Sequence, residues 1–125
     1  MNKLTHFDEK GNAAMVDVSN KNLTKRTAIA SGLIQMKEIT LKTIIDKGIS
    51  KGDVLQIARI AGIMAAKQTS SIIPLCHPII LDSVSLDLKP LKEQSSIYIQ
   101  SKIICNGATG VEMEALTAVS ISCLT

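Results

Sequence analysis

Along the chain the spacing of hydrophobic and polar positions changes several times, and each change marks an element. The first twelve residues, MNKLTHFDEKGN, show no period and are rich in polar groups, which predicts a flexible arm over 1–12. Met15, Val16 and Val18 predict a short strand, and the mixed β-branched and small residues of KRTAIASGLIQMK, Lys25 to Lys37, predict a longer one, with a helix as the competing reading. In EITLKTIIDKG, Ile39, Leu41, Ile44 and Ile45 fall near helical spacing and Gly48 supplies a stop. The stretch from Asp53 to Lys67 is the strongest helix. One apolar face holds Val54, Ile57, Ala58, Ala61, Met64 and Ala65, and a second holds Leu55, Ile60 and Ile63. A helix apolar on nearly all sides needs cover on both, so a neighbouring subunit is expected to supply what one sheet cannot.

Two alternating runs follow, Ser83 to Leu88 and Ser96 to Cys105, joined by the charged, Pro90-containing segment KPLKEQS, which predicts an antiparallel hairpin. In the last stretch Thr109 precedes Glu112 by three positions, a capping-box pattern, and Val111, Ala115, Ala118, Val119 and Ser122 form one stripe. No Gly, Pro or basic turn closes this helix. The order strand, helix in two pieces, strand, strand, helix is the split β-α-β-β-α-β pattern of a ferredoxin-like α+β fold, with an antiparallel sheet, helices on one face and the final strand missing. The expectation is a single domain over 13–125 that is C-terminally incomplete and belongs to a longer protein.

Composition narrows the chemistry. Tyr98 and Phe7 are the only aromatics while 46% of residues are apolar, so the core must be aliphatic. The net charge of +3 carries no Lys/Arg block and no aromatic interleaving, which argues against nucleic acid and for a small anionic ligand. Cys76, Cys105 and Cys123 are odd in number and form no C-x-x-C, pointing to reduced thiols in a cytoplasmic protein rather than a disulfide framework or a zinc knuckle. No export segment and no membrane span is predicted.

Three groups of residues are candidates for chemistry. PLCHP, residues 74 to 78, fences Cys76 and His77 between two of the three prolines. Rigid flanks fix an imidazole for ligand binding or acid–base work, although the prolines could equally shape a turn whose histidine is satisfied by backbone. His6, the other histidine, lies in the arm, so zinc is not expected. Glu112 and Glu114 form the second group. A carboxylate there accepts the N–H edge of a guanine-like base, and because residues two apart on a helix point about 200° apart, Glu114 is favoured for ligand and Glu112 for capping or an interface. The third group is basic: Lys21, Lys25, Arg26, Lys51 and Lys67. Lys51 sits in SKGD before the strong helix, where backbone and helix end favour phosphate, whereas Lys67, like Arg59, fits a solvated helix stripe equally well. No Walker or Rossmann phosphate loop is present.

With KGDVLQIARIAGIMAAKQTSSIIPLCHP and GATGVEMEALTAVS on the page, the chain resembles the cyclic pyranopterin monophosphate synthases, or molybdenum cofactor biosynthesis protein C, from LTHFDEKGNAAMVDVS to its last residue. The resemblance implies a lyase of molybdenum cofactor (molybdopterin) biosynthesis. It would convert (8S)-3',8-cyclo-7,8-dihydroguanosine 5'-triphosphate, a GTP-derived substrate, to the cyclic pterin monophosphate and pyrophosphate, with no cofactor or metal of its own. It further implies a ferredoxin-like fold, a homohexamer built as a trimer of dimers, and active sites at subunit contacts. Carried over residue by residue, it assigns substrate binding to Leu75, Cys76, His77, Met113 and Glu114, with Glu112 beside them, catalysis to Lys51, and the triphosphate to Arg26 and Lys67. The family's expected catalytic aspartate and lysine fall beyond Thr125. The other class left open is a non-catalytic nucleotide- or pterin-binding oligomeric module.

Overall fold

A computed structural model describes residues 4–46 and 53–125. Three antiparallel strands, β1 (Thr24–Gln35), β2 (Ser83–Leu91) and β3 (Ser96–Gly107), form one sheet in the order β1-β3-β2. The helices are α1 (Glu38–Ile45), α2 (Val54–Lys67), α3 (Thr69–Ile72) and α4 (Glu112–Leu124). This is the ferredoxin-like α+β arrangement, with β3 central because the β2–β3 hairpin docks back beside β1.

Period-two alternation decides which side of the sheet is covered. On β3, Ile97, Ile99, Ser101, Ile103 and Cys105 are buried under the helices, each at most 4% exposed. Their register partners on β1 are Ile34, Gly32, Ala30, Ala28 and Arg26. Leu86 and Leu88 of β2 lie against Ser101 and Ile99. On the other face Ile29 and Leu33 stay exposed. The core is aliphatic, as the composition requires. Pro90 sits inside β2 rather than in the connection, tolerated because β2 is an edge strand on which a missing N–H breaks no essential ladder bond.

Helix α2 starts where Asp53 accepts hydrogen bonds from the N–H groups of Leu55 (3.1 Å) and Gln56 (3.3 Å). Its fully buried residues are all small, Ala58, Gly62, Ala65 and Ala66. They let α2 approach α4, and a Cβ on Gly62 would stand 3.0 Å from the Ala118 carbonyl oxygen. The Ser122 hydroxyl donates to the Ala58 carbonyl at 2.9 Å, and the Ser101 hydroxyl donates to the Ala115 carbonyl at 2.8 Å, tying α4 to α2 and to the middle of the sheet. Leu55 and Ile63 pack against the core, whereas Ile57, Ile60 and Met64 of the same helix remain 44%, 57% and 54% exposed.

Two expectations are corrected. Residues Met15 to Val18 are not a strand: the only pairing in that region among the described residues is an isolated bridge between Phe7 and Ala13. Asp8 organises that bridge, its carboxylate accepting from the N–H groups of Lys10 and Asn12, both at 2.9 Å. Thr109 does not cap α4. The helix begins two residues later, with fully buried Val111 at the N-cap position and no side-chain cap. Burial of Val111 sets the helix start there, and Glu112 becomes its first residue, with its carboxylate folded back over Gly110.

Candidate active site

Between α3 and β2 the chain runs through Pro74–Pro78 without regular structure, and its ends are clamped. Upstream, the buried Thr69 hydroxyl donates to the carbonyls of Ala65 and Ala66, both at 3.0 Å. Downstream, the Asp82 carboxylate accepts from the Asn106 backbone N–H (2.8 Å) and side-chain amide (3.3 Å). Between these anchors Leu75 is held at φ +63°, a left-handed conformation that a non-glycine residue adopts against steric resistance. The prolines on either side limit relaxation.

That backbone faces the start of α4 across a cleft of about 320 Å³. Leu75, Cys76 and His77 line one wall and Glu112, Met113 and Glu114 the other, so six of the nine residues to which the resemblance gives roles meet at one place. Glu112 was expected to point away from Glu114. Both reach the cleft because it lies over the end of the helix rather than along its side.

Glu114 is 3% exposed. One carboxylate oxygen accepts a weak hydrogen bond from the Cys76 thiol at 3.8 Å, and the other is buried with no partner. Burial, the largest effect, raises the Glu114 carboxyl above the usual carboxylate range. Burial first, then the Glu114 charge, raises the Cys76 thiol as well. Cys76 therefore stays a protonated donor at neutral pH rather than a nucleophilic thiolate. What this wall offers is an unpaired acceptor suited to an N–H of a ligand.

The basic candidates are distributed differently. Arg26 is on the helix-covered face of β1, and its Nε donates to the Gly107 carbonyl at 3.3 Å. It thus braces the end of β3 that leads to Thr109 and Gly110 in the cleft wall. Lys67 is exposed at the end of α2, Lys21 and Lys25 are exposed near the start of β1, and none of the three lines the cleft. Lys51 lies outside the described residues.

Two nearby groups escaped the sequence reading. His6 lines the cleft. Asp17 lies close enough to His77 to feel its charge; its carboxyl is held below the usual range chiefly by the Ser19 N–H, with a smaller part from His77. The available signal was the Asp8-to-Gly11 turn, whose Asx bonds and left-handed glycine (φ +82°) reverse the arm toward the body. Among the described residues no three His, Cys, Asp or Glu side chains are grouped to hold a metal, and no helix is long and apolar enough to cross a membrane.

A family model described as the MoaC family matches residues 15–125. The chain belongs to that family. Its relatives include proteins named cyclic pyranopterin monophosphate synthase from Parvibaculum lavamentivorans, 54% identical over 98% of this chain and 77% of the relative, and from Magnetococcus marinus, 54% identical over 100% and 77%. A relative of the same name from Heliobacterium modesticaldum is 54% identical over 100% of this chain and 79% of its own length. The MoaC match spans both cleft walls and stops short of His6, which lies before its first residue.

Proposed function

We propose that this MoaC-family chain catalyses the reaction its relatives are named for, in molybdenum cofactor biosynthesis: conversion of (8S)-3',8-cyclo-7,8-dihydroguanosine 5'-triphosphate to cyclic pyranopterin monophosphate with release of pyrophosphate. The observation that carries this reading is Glu114, which has a buried, unpartnered oxygen and lines one cleft together with the Leu75–His77 turn, in a chain matched to the family over that whole region. A guanine-derived ring presents adjacent N–H donors, and a carboxylate with a free lone pair in a dry wall is the acceptor such a ring requires.

The roles are those that the family resemblance implies. Glu114 and the Met113 segment grip the base, Leu75 and Cys76 set the opposite wall, and His77 and Glu112 bind beside them. Opening the five-membered ring moves protons, a step assigned here to Lys51. Ring closure at phosphorus has a sugar hydroxyl oxygen attack the α-phosphorus while the bond to the departing pyrophosphate breaks. Positive charge lowers that barrier, and Arg26 and Lys67 are assigned to the phosphates. With Ile57, Ile60 and Met64 of α2 exposed, assembly into a hexamer with sites at subunit contacts accounts for an apolar face otherwise left to water. A cytoplasmic location fits the three free cysteines.

The test is pyrophosphate release by the purified full-length protein given the cyclised triphosphate. Release is expected, with His77→Ala lowering kcat/KM by at least about tenfold. A folded, oligomeric protein that releases none ends this reading.

A further inference from the structure

The cleft poses an electrostatic problem. Its walls hold two carboxylates, Glu112 and Glu114, and no lysine or arginine lines it among the described residues. A triphosphate brings several more negative charges. The only lining groups able to become cationic donors are the chain's two histidines, His77 and His6. His77 belongs to the PLCHP turn, but His6 comes from the N-terminal arm and has no part in the assignments above.

Its delivery is specific. The Phe7–Ala13 bridge, with the Ala14 N–H donating to the His6 carbonyl at 2.8 Å and the Asp8 N–H to the Asn12 carbonyl at 2.8 Å, makes a self-contained hairpin around residues 6 to 14. The Gly11 N–H closes it on the Asp8 carbonyl at 3.0 Å. Among the described residues every hydrogen bond at His6 is made by its main chain, so the hairpin does not use the imidazole. Leu4 and Phe7 beside it are 73% and 52% exposed, so apolar packing does not explain the hairpin's position.

Building on the function proposed above, we propose that His6 is a substrate-contacting residue, an imidazole that the hairpin places over the cleft to hold the phosphate end of the bound nucleotide. The hairpin acts as a strap. Its imidazole donates to a phosphate oxygen, opposite the carboxylates that take the base. Substrates lacking phosphate gain nothing from it.

The experiment compares full-length wild type with His6→Ala in steady-state pyrophosphate release, and titrates pyrophosphate itself into both proteins by calorimetry. Because the hairpin's bonds at His6 are main-chain, His6→Ala keeps its thermal midpoint. KM and the pyrophosphate Kd both rise about tenfold, the scale of one charge-assisted hydrogen bond, while kcat stays within about twofold. His6→Gln, which keeps an N–H donor without the charge, falls between. Gly11→Val, which leaves the imidazole but strains the turn at φ +82°, raises KM in the same direction. Turnover by wild type with KM and Kd of His6→Ala within about twofold overturns the inference and leaves the reaction standing, as does a loss confined to kcat. Pyrophosphate binding weakened by His6→Ala in a wild type that shows no turnover supports the His6 contact while overturning the reaction. A folded wild type that neither releases nor binds pyrophosphate overturns both.

Discussion

Replacing Glu114 by methionine should make the protein more stable and nearly inactive. Glu114 is 3% exposed, with one oxygen unpartnered and the other accepting only a thiol. An unsatisfied buried polar group costs about 1–3 kcal/mol, and more when charged, whereas methionine fills similar space with a flexible apolar chain. Loss of the weak Cys76 bond subtracts little, so a net gain of about 1–2 kcal/mol at neutral pH is expected, or roughly 3–8 °C in thermal midpoint. The pH dependence separates this cause from better packing. An acid whose folded pKa is raised binds more protons in the folded state, so the wild type loses stability as pH rises from the ordinary carboxyl value of 4.5 through the raised one. Below that window Glu114 is protonated in both states and its penalty is smallest. The advantage of Glu114→Met should therefore be largest near neutrality and shrink in acid, read by circular-dichroism melts at fixed protomer concentration from about pH 4 to about pH 8. Substrate affinity should fall about 10- to 100-fold, the range of one hydrogen bond to a charged acceptor. A variant less stable than wild type at neutral pH, or a gain that persists unchanged in acid, would refute the reasoning.

Gly62→Ala gains about 1 kcal/mol in helix propensity, yet the new Cβ would stand 2.6 Å from a Leu86 methyl and 3.0 Å from the Ala118 carbonyl oxygen. The methyl can rotate away but the backbone cannot, so a net loss of about 1–2 kcal/mol is expected as a lower urea midpoint, and a raised midpoint would contradict it. Leu75→Val puts a β-branched side chain at φ +63° and should raise KM by about tenfold, while Leu75→Gly, free of that strain, should stay within about threefold of wild type. Equal KM values for the two would show that side-chain contact, not backbone conformation, is what the position supplies.

The sheet was legible because each strand obeys its period: β3 buries alternate residues from Ile97 to Cys105, and the pattern alone states this. Helix α2 was legible as a helix but not as a packed one. Its sequence shows apolar residues on most sides, and which of them become fully buried depends on how near α4 can come, a distance set where Gly62 meets Ala118. The start of α4 was misplaced because a local signature, Thr109 with Glu112, competes with the burial of Val111, and burial won. Met15–Val18 carries strand-like residues that find no pairing partner among the described residues. As for the site, the Leu75–His77 and Met113–Glu114 segments were recognisable from resemblance, and the structure adds that they share a cleft. His6 was not recognisable. A lone histidine in a polar, aperiodic segment has no pattern to fit, and the structure places it in the cleft lining, next to the turn closed by Asp8 and Gly11.

The cleft is also where the chain departs most from its own rules. It holds a left-handed Leu75 and a buried carboxylate with a free oxygen. Neither survives by itself: each costs about 1–3 kcal/mol, a sizeable part of a small domain's total stability. The surrounding bonds are placed where these departures need restraint. Asp82 on Asn106 holds the exit of the Leu75 turn, Arg26 on Gly107 holds the approach to α4, and Ser101 on Ala115 pins the first turn of α4, the turn that carries Glu114. Two of these bonds run from a strand or its flank to β3, the central strand, and the third runs from β3 itself to the helix. The least deformable element of the sheet thus holds both cleft walls at a fixed separation. A ligand that supplied the missing donor to Glu114 would recover energy the fold has already spent, so affinity at this site derives in part from strain that the rest of the domain sustains.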